Sequence, residues 1–249
     1  MCLTTDCIAC WKWNKPGYVL ILQTQALRET NLVNVCTKFS EIQPTPNFTK
    51  ARHLLVDDRL RYIFCYTPKV ACTTWKRILL MMTGKMTVNR SEDIARSDVH
   101  SRSFMKRHLP SLNSYRPDEI EYRINHYFKF MFVRDPFERL VSAYLDKFVR
   151  TNTFQKTIGR DIIKLYRPDA TTEALNEGSD VTFQEFVRYI LDERTRTIRP
   201  FNEHWRPLHQ LCYPCYIKYD FIGKFETLHE DAKYVLKRSY FTIMSRSNC

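Results

Sequence analysis

Residues 62–80 read Tyr-Ile-Phe-Cys-Tyr-Thr-Pro-Lys-Val-Ala-Cys-Thr-Thr-Trp-Lys-Arg-Ile-Leu-Leu, and few other stretches constrain the local fold so tightly. Residues 61–66 are aromatic and β-branched enough for a buried strand, while from Trp75 the apolar positions recur at helical spacing until Gly84 offers a stop. Residues 67–74 must turn the chain between them. A loop that delivers backbone N–H groups to a helix N-terminus is a site for phosphate or sulfate, because the unpaired amides and the helix dipole point the same way. Lys69 adds a mobile positive charge. An ordinary strand-to-helix turn with one exposed lysine fits equally well, and this stretch alone does not choose. The loop lacks the G-x-x-x-x-G-K-[ST] pattern, so a nucleoside triphosphatase is not indicated.

A second junction repeats the pattern. After a polar, basic region over 87–117 and a helix over 118–126, residues 127–133 (Tyr-Phe-Lys-Phe-Met-Phe-Val) form another strongly β-prone run. Arg134-Asp-Pro follows at once, with Asp135 a good N-cap and Pro136 a good first helical residue. Phe137, Leu140, Val141, Tyr144 and Phe148 then trace one apolar face, and Glu138 and Ser142 follow Arg134 on the polar one. An arginine at a helix start is often simply paired with a helix carboxylate. Two buried strands, each delivering a basic residue to a helix N-terminus, are what a nucleotide with two separate anionic groups would need.

The chain has 249 residues, enough for one large α/β domain. Residues 1–50 read as an N-terminal segment ending in a linker-like stretch over 43–49, and residues 51–249 as the folded domain. Thirty-nine basic against 27 acidic residues give a net charge of +12, which favours a polyanionic partner. Nucleic acid is the weaker choice, since there are only five glycines and no repeat, RGG tract or arginine-rich tail. Lys156, Arg160, Lys164 and Arg167 fall at helical spacing as one basic stripe, either a solvated face or a polyanion contact. Residues 182–191 form an amphipathic helix suited to core packing. Residues 200–205 bring Glu203, His204 and Trp205 into one turn, and residues 219–225 make a late strand before a helix near Glu226.

Nine cysteines and two N-x-[ST] sequons, at Asn47 and Asn89, are compatible with a secretory-pathway lumen. The pairs Cys7/Cys10 and Cys212/Cys215 lack ligand-spaced histidines, so no zinc site is expected. Cys212 and Cys215 read as structural, in a disulfide or as buried thiols, with a redox pair as the alternative. The longest apolar run near the N-terminus, residues 18–22, is far below the ~20 residues needed to span a bilayer.

The stretch Pro-Lys-Val-Ala-Cys-Thr-Thr-Trp-Lys-Arg at 68–77 resembles the 5′-phosphosulfate loop of the Golgi carbohydrate sulfotransferases. Phe-Val-Arg-Asp-Pro-Phe-Glu-Arg-Leu-Val-Ser-Ala-Tyr at 132–144 is similar to their 3′-phosphate motif. Residues 202–205, 211–215 and 219–227 look like further landmarks of the branch containing the chondroitin and dermatan 4-O-sulfotransferases. The resemblance implies an α/β, P-loop-like fold with a central, mainly parallel sheet. It also implies 3′-phosphoadenosine 5′-phosphosulfate (PAPS) as donor, a galactosamine-containing acidic glycan as acceptor, no metal, no nucleic acid, and a lumenal, single-pass Golgi membrane setting. Pro68, Lys69, Val70, Ala71, Cys72, Thr73 and Thr74 would hold the 5′ end of the donor, with Lys69 also catalytic. Arg134, Asp135, Pro136, Phe137, Glu138, Arg139, Leu140, Val141 and Ser142 would hold the 3′-phosphate. The stripe Lys156, Arg160, Lys164 and Arg167, read from its spacing and charge, is the candidate contact for the acceptor. For the general base, His100 is favoured, with His108, Glu203 and His204 as the other candidates. Thr74 stands where the family usually has Asn, and Leu145 where a basic residue is usual. The chain also stops soon after the Glu226 helix, which suggests a C-terminally truncated domain. A catalytically impaired glycan-binding relative is the alternative.

Overall fold

The computed structural model describes residues 16–39 and 46–247, which fall into two units. The first comprises the described residues up to Tyr66, Thr73–Val133 and those from Leu208 onward; the second comprises Thr67–Cys72 and Arg134–Pro207. Cys7, Cys10 and part of the expected linker lie outside the described residues.

The first unit is built on a four-stranded sheet, β1 (Leu54–Asp57), β2 (Tyr62–Cys65), β3 (Phe128–Val133) and β4 (Phe221–Lys224), in that spatial order. β2, β3 and β4 run parallel and β1 pairs antiparallel with β2. The sheet is therefore mixed and mainly parallel, as expected of an α/β sulfotransferase fold. β1 and β2 are buried at every residue, which is how strands covered on both faces read in sequence. β1 itself escaped the sequence reading: it is four residues long and closes on β2 through a tight turn in which Asp57 Oδ1 accepts from Leu60 N at 2.7 Å.

The helix Cys72–Met82 anchors through Trp75, 2% exposed and packed against Phe64, Phe130 and Phe132 with ring centroids 4.7–5.7 Å apart. The helix ends as expected near Gly84, whose φ of 69° is readily adopted only by glycine. Lys76 is buried too, its ammonium 3.8 Å from the Tyr66 ring centroid.

Within the expected N-terminal segment, ahead of its linker-like stretch, Pro16–Lys38 forms a helix tied into this unit. Gln25 donates to Ile222 O at 3.1 Å and accepts from Ile222 N at 2.9 Å, satisfying the outer edge of β4. Arg28 reaches both oxygens of Asp231, at 3.1 and 3.0 Å. Two disulfides, Cys36–Cys215 and Cys65–Cys212, join distant parts of the unit. Cys212 and Cys215 are thus structural, each bonded elsewhere and not to one another as a redox pair would be. No helix among the described residues is long and apolar enough to cross a membrane.

The second unit has its own core, in which Phe148, Ile162, Ile163, Phe186 and Trp205 take part. The helix Phe183–Leu191 packs into it as expected, with Thr182 and Glu185 forming a capping box. The helix Pro136–Tyr144 starts at the Asp135 cap but widens after Tyr144 into a π-helical turn, Leu145–Val149. The expected apolar face is corrected accordingly. Phe137 is 77% and Val141 41% exposed, while Leu140, Tyr144 and Phe148 face the core as expected, joined by Ala143.

Candidate functional site

The loop of the second unit begins with Thr67 and Pro68, both buried, and then bends twice through left-handed backbone, at Lys69 (φ 72°) and Ala71 (φ 51°). Two non-glycine residues in that region cost of order 1–3 kcal/mol each, strain typical of ligand clamps. Left-handed residues flanking one that is not create a concave nest of N–H groups suited to an anion. One expectation needs adjusting: the Val70 N–H donates to Thr67 O at 3.3 Å, so it closes the turn and is not offered to a ligand.

Arg139 fixes this loop in place. It donates from Nε to Pro68 O, from Nη2 to Glu203 O and from Nη1 to Arg206 O, each at 3.0 Å. Burial pushes its pKa down to about 10. Arg139, expected among the phosphate ligands, acts as a strut, with three of its donors committed to backbone carbonyls. Asp135 is committed likewise, with Oδ1 accepting from Phe137 N and Glu138 N at 3.0 Å each. The exposed Phe137 and Val141 hold no part of this constellation.

Arg134 and Lys69 do come together. Arg134 Nη1 donates to Lys69 O at 3.3 Å, and its other donors reach Glu138 at 3.4 Å. The Lys69 ammonium lies 3.2 Å from Asp146 Oδ2, which also lies 3.3 Å from Lys147 Nζ. Burial alone would raise the Asp146 carboxyl, but Lys147 and Lys69 outweigh it and hold it below the usual carboxylate range. Sequence reading missed Asp146 and Lys147. They stand two and three residues after Ser-Ala-Tyr on the π-helical turn, where Asp146 meets both Lys69 and Lys147.

His204 belongs to the same cluster. Burial first, and then Lys147 and Lys69, push its pKa down to about 4, against the opposing pull of Glu203 and Asp146. Its Nδ1 lies 2.6 Å from Asn202 Oδ1, an acceptor only, so Nδ1 carries the proton and Nε2 keeps a free lone pair. A neutral imidazole beside two lysines is chemically a base. In the first unit, His100 is exposed and its Nε2 lies 3.3 Å from Thr73 Oγ1, next to the exposed Thr74. His108 turns its ring onto Phe104 and leaves Nδ1 buried without a hydrogen-bond partner.

Residues 52–244 match the sequence signature described as the sulfotransferase family. The chain belongs to that family. Carbohydrate sulfotransferase 11 of Rattus norvegicus is 47% identical over 195 residues, covering 78% of this chain and 54% of the relative. Carbohydrate sulfotransferase 14 of Danio rerio is 40% identical over 220 residues, covering 86% and 57%. Carbohydrate sulfotransferase 9 of Homo sapiens is 40% identical over 231 residues, covering 91% and 49%. The chain thus spans about half the length of the curated relatives it matches. No solved structure matches it.

In this sulfotransferase chain the basic stripe is narrower than its spacing suggested. Lys156, Arg160 and Lys164 are exposed, although Lys156 lies 3.6 Å from Glu177 and Arg160 donates to Asn176 O. Arg167 leaves the stripe. It is clamped by Glu185 at 2.7 Å and Asp180 at 2.9 Å, pairs that hold its own pKa well up and push that of Glu185 down to about 2. Arg167 therefore braces the cap of the helix Phe183–Leu191.

Proposed function

We propose that this protein takes PAPS as donor and transfers its sulfonate to a hydroxyl of a galactosamine-containing, chondroitin- or dermatan-like glycan in the Golgi lumen. The observation that carries the reading is the joining of the two donor motifs: Arg134, from the 3′-phosphate motif, donates to the carbonyl of Lys69, the lysine of the 5′-phosphosulfate loop. The strained nest around Lys69 suits the 5′ end, and the fork of Arg134 together with Ser142 suits a 3′-phosphate. The two disulfides accord with an oxidising lumen.

In the reaction the acceptor oxygen attacks sulfur as the bond from sulfur to the 5′-phosphate oxygen breaks, and the electron pair leaves with the nucleotide. Lys69 neutralises charge growing on that leaving phosphate. The hydroxyl proton passes to a base. His204 has the better support on chemistry, being neutral with an open Nε2 beside Lys69 and Lys147, while His100, next to Thr73, stays the second candidate. Lys156, Arg160 and Lys164 would meet acidic groups of the acceptor. These exposed cations also favour the competing reading, a glycan-binding relative without transfer.

Labelled sulfonate transfer from PAPS to desulfated chondroitin and dermatan tests the proposal, together with a thermal-shift titration with 3′-phosphoadenosine 5′-phosphate. Transfer abolished by Lys69→Ala or Arg134→Ala is expected. Heparin retention with no nucleotide-induced shift and no transfer would instead establish the glycan-binding reading.

A further inference from the structure

Asp146 sits on the π-helical turn after the helix Pro136–Tyr144, and a single oxygen, Oδ2, serves two ammonium groups: Lys69 at 3.2 Å and Lys147 at 3.3 Å. The three side chains are only 17%, 20% and 16% exposed for Lys69, Asp146 and Lys147, so this pairing is sheltered from the screening that weakens surface ion pairs. Lys69 is the residue assigned above to the 5′ end of the donor. A phosphate arriving there finds its lysine already taken by a carboxylate of the same sign.

We infer that Asp146 is a latch on Lys69: it neutralises and parks the donor-loop lysine in the nucleotide-free protein and surrenders it to an entering 5′-anion. The inference rests on the PAPS reading above. The geometry allows the exchange without stranding a charge, because Asp146 keeps Lys147 when Lys69 leaves. It also confines the motion to the lysine side chain. The carbonyl of Lys69 stays bonded to Arg134 at 3.3 Å, the loop stays bonded to Arg139 through Pro68, and the carbonyl of Asp146 stays bonded to Thr151 Oγ1 at 3.0 Å. Asp146 is a positioning residue, acting on the donor through Lys69, and it lowers affinity for ligands that carry a 5′-anion.

The test compares calorimetric affinities of the whole chain and its Asp146→Asn variant for two probes, 3′-phosphoadenosine 5′-phosphate and adenosine 3′-phosphate, which lacks the 5′ group. The variant should bind the first about tenfold tighter and the second within twofold of wild type, with Asp146→Glu returning to wild-type behaviour. Asp146→Ser gives the same comparison if the asparagine variant does not fold. Bisphosphate affinity that is unchanged or weakened in both neutral variants overturns the latch while leaving the donor reading intact. Equal tightening toward both probes also overturns it. Absence of bisphosphate binding by wild type overturns the donor reading and the latch together.

Discussion

Arg139 Nε donates to the carbonyl of Pro68 at 3.0 Å, and through that bond a residue of the second donor motif sets the path of the first. Two further carbonyls, of Glu203 and Arg206, depend on the same guanidinium. Arg139→Met would take a donor from one buried and two half-buried carbonyls, and each such loss costs about 1–3 kcal/mol. Urea unfolding should show a loss of about 3 kcal/mol or more. Arg139→Lys should not restore it, since one ammonium cannot reach three divergent carbonyls.

Lys69→Ala separates function from stability. Asp146 retains Lys147 as its partner, so no carboxylate is left alone and unfolding free energy should change by no more than about 2 kcal/mol. Sulfonate transfer should fall by about 100-fold or more, as for loss of a group that stabilises developing charge. A variant that melts far below wild type would show Lys69 to be structural.

His204 predicts a pH dependence of stability. Its folded pKa of about 4 lies below the ordinary 6.5, so between these values the unfolded chain binds a proton that the folded chain refuses. Stability from this residue is complete above pH 6.5 and falls as the pH drops toward 4, by up to about 3 kcal/mol. Thermal melts over pH 4–7 should show that slope in wild type and a flatter one in His204→Gln. Parallel slopes in the two proteins would contradict the assignment.

Non-reducing peptide mapping should recover Cys36 linked to Cys215 and Cys65 linked to Cys212, and no Cys212–Cys215 peptide. Because Cys65–Cys212 is nested inside Cys36–Cys215, the outer bridge closes a ring of about 30 residues, and Cys36→Ser should destabilise by about 3–4 kcal/mol.

The strands β2, β3 and β4 were legible because each is a short run dominated by aromatic and aliphatic residues, broken only by Lys129 in β3 and by Gly223 and Lys224 at the end of β4, and the Asp135-Pro136 helix start because cap and first-turn chemistry are local. Lys69 and Arg134 were legible for the same reason. Arg139 was assigned to the ligand because sequence gives no sign of which carbonyls a motif arginine will meet. Asp146 was missed because a straight α-helix was assumed past Tyr144, and one π-helical turn is enough to change which side chains converge. Arg167 looked like one cation of a solvated row until Glu185 and Asp180, 18 and 13 residues away, were seen to enclose it. The helix Pro16–Lys38 was hidden for a different reason. It is held by Gln25, Arg28 and Cys36, whose partners lie 179 to 203 residues away.

The Gln25 amide, bonded to both backbone groups of Ile222, works as a one-residue substitute for a fifth strand. A version of this protein starting beyond residue 39 would lose that stopper and present a bare rung of β4 to its neighbours. Such a fragment should self-associate through strand pairing, so the N-terminal helix matters for solubility in expression as well as for stability.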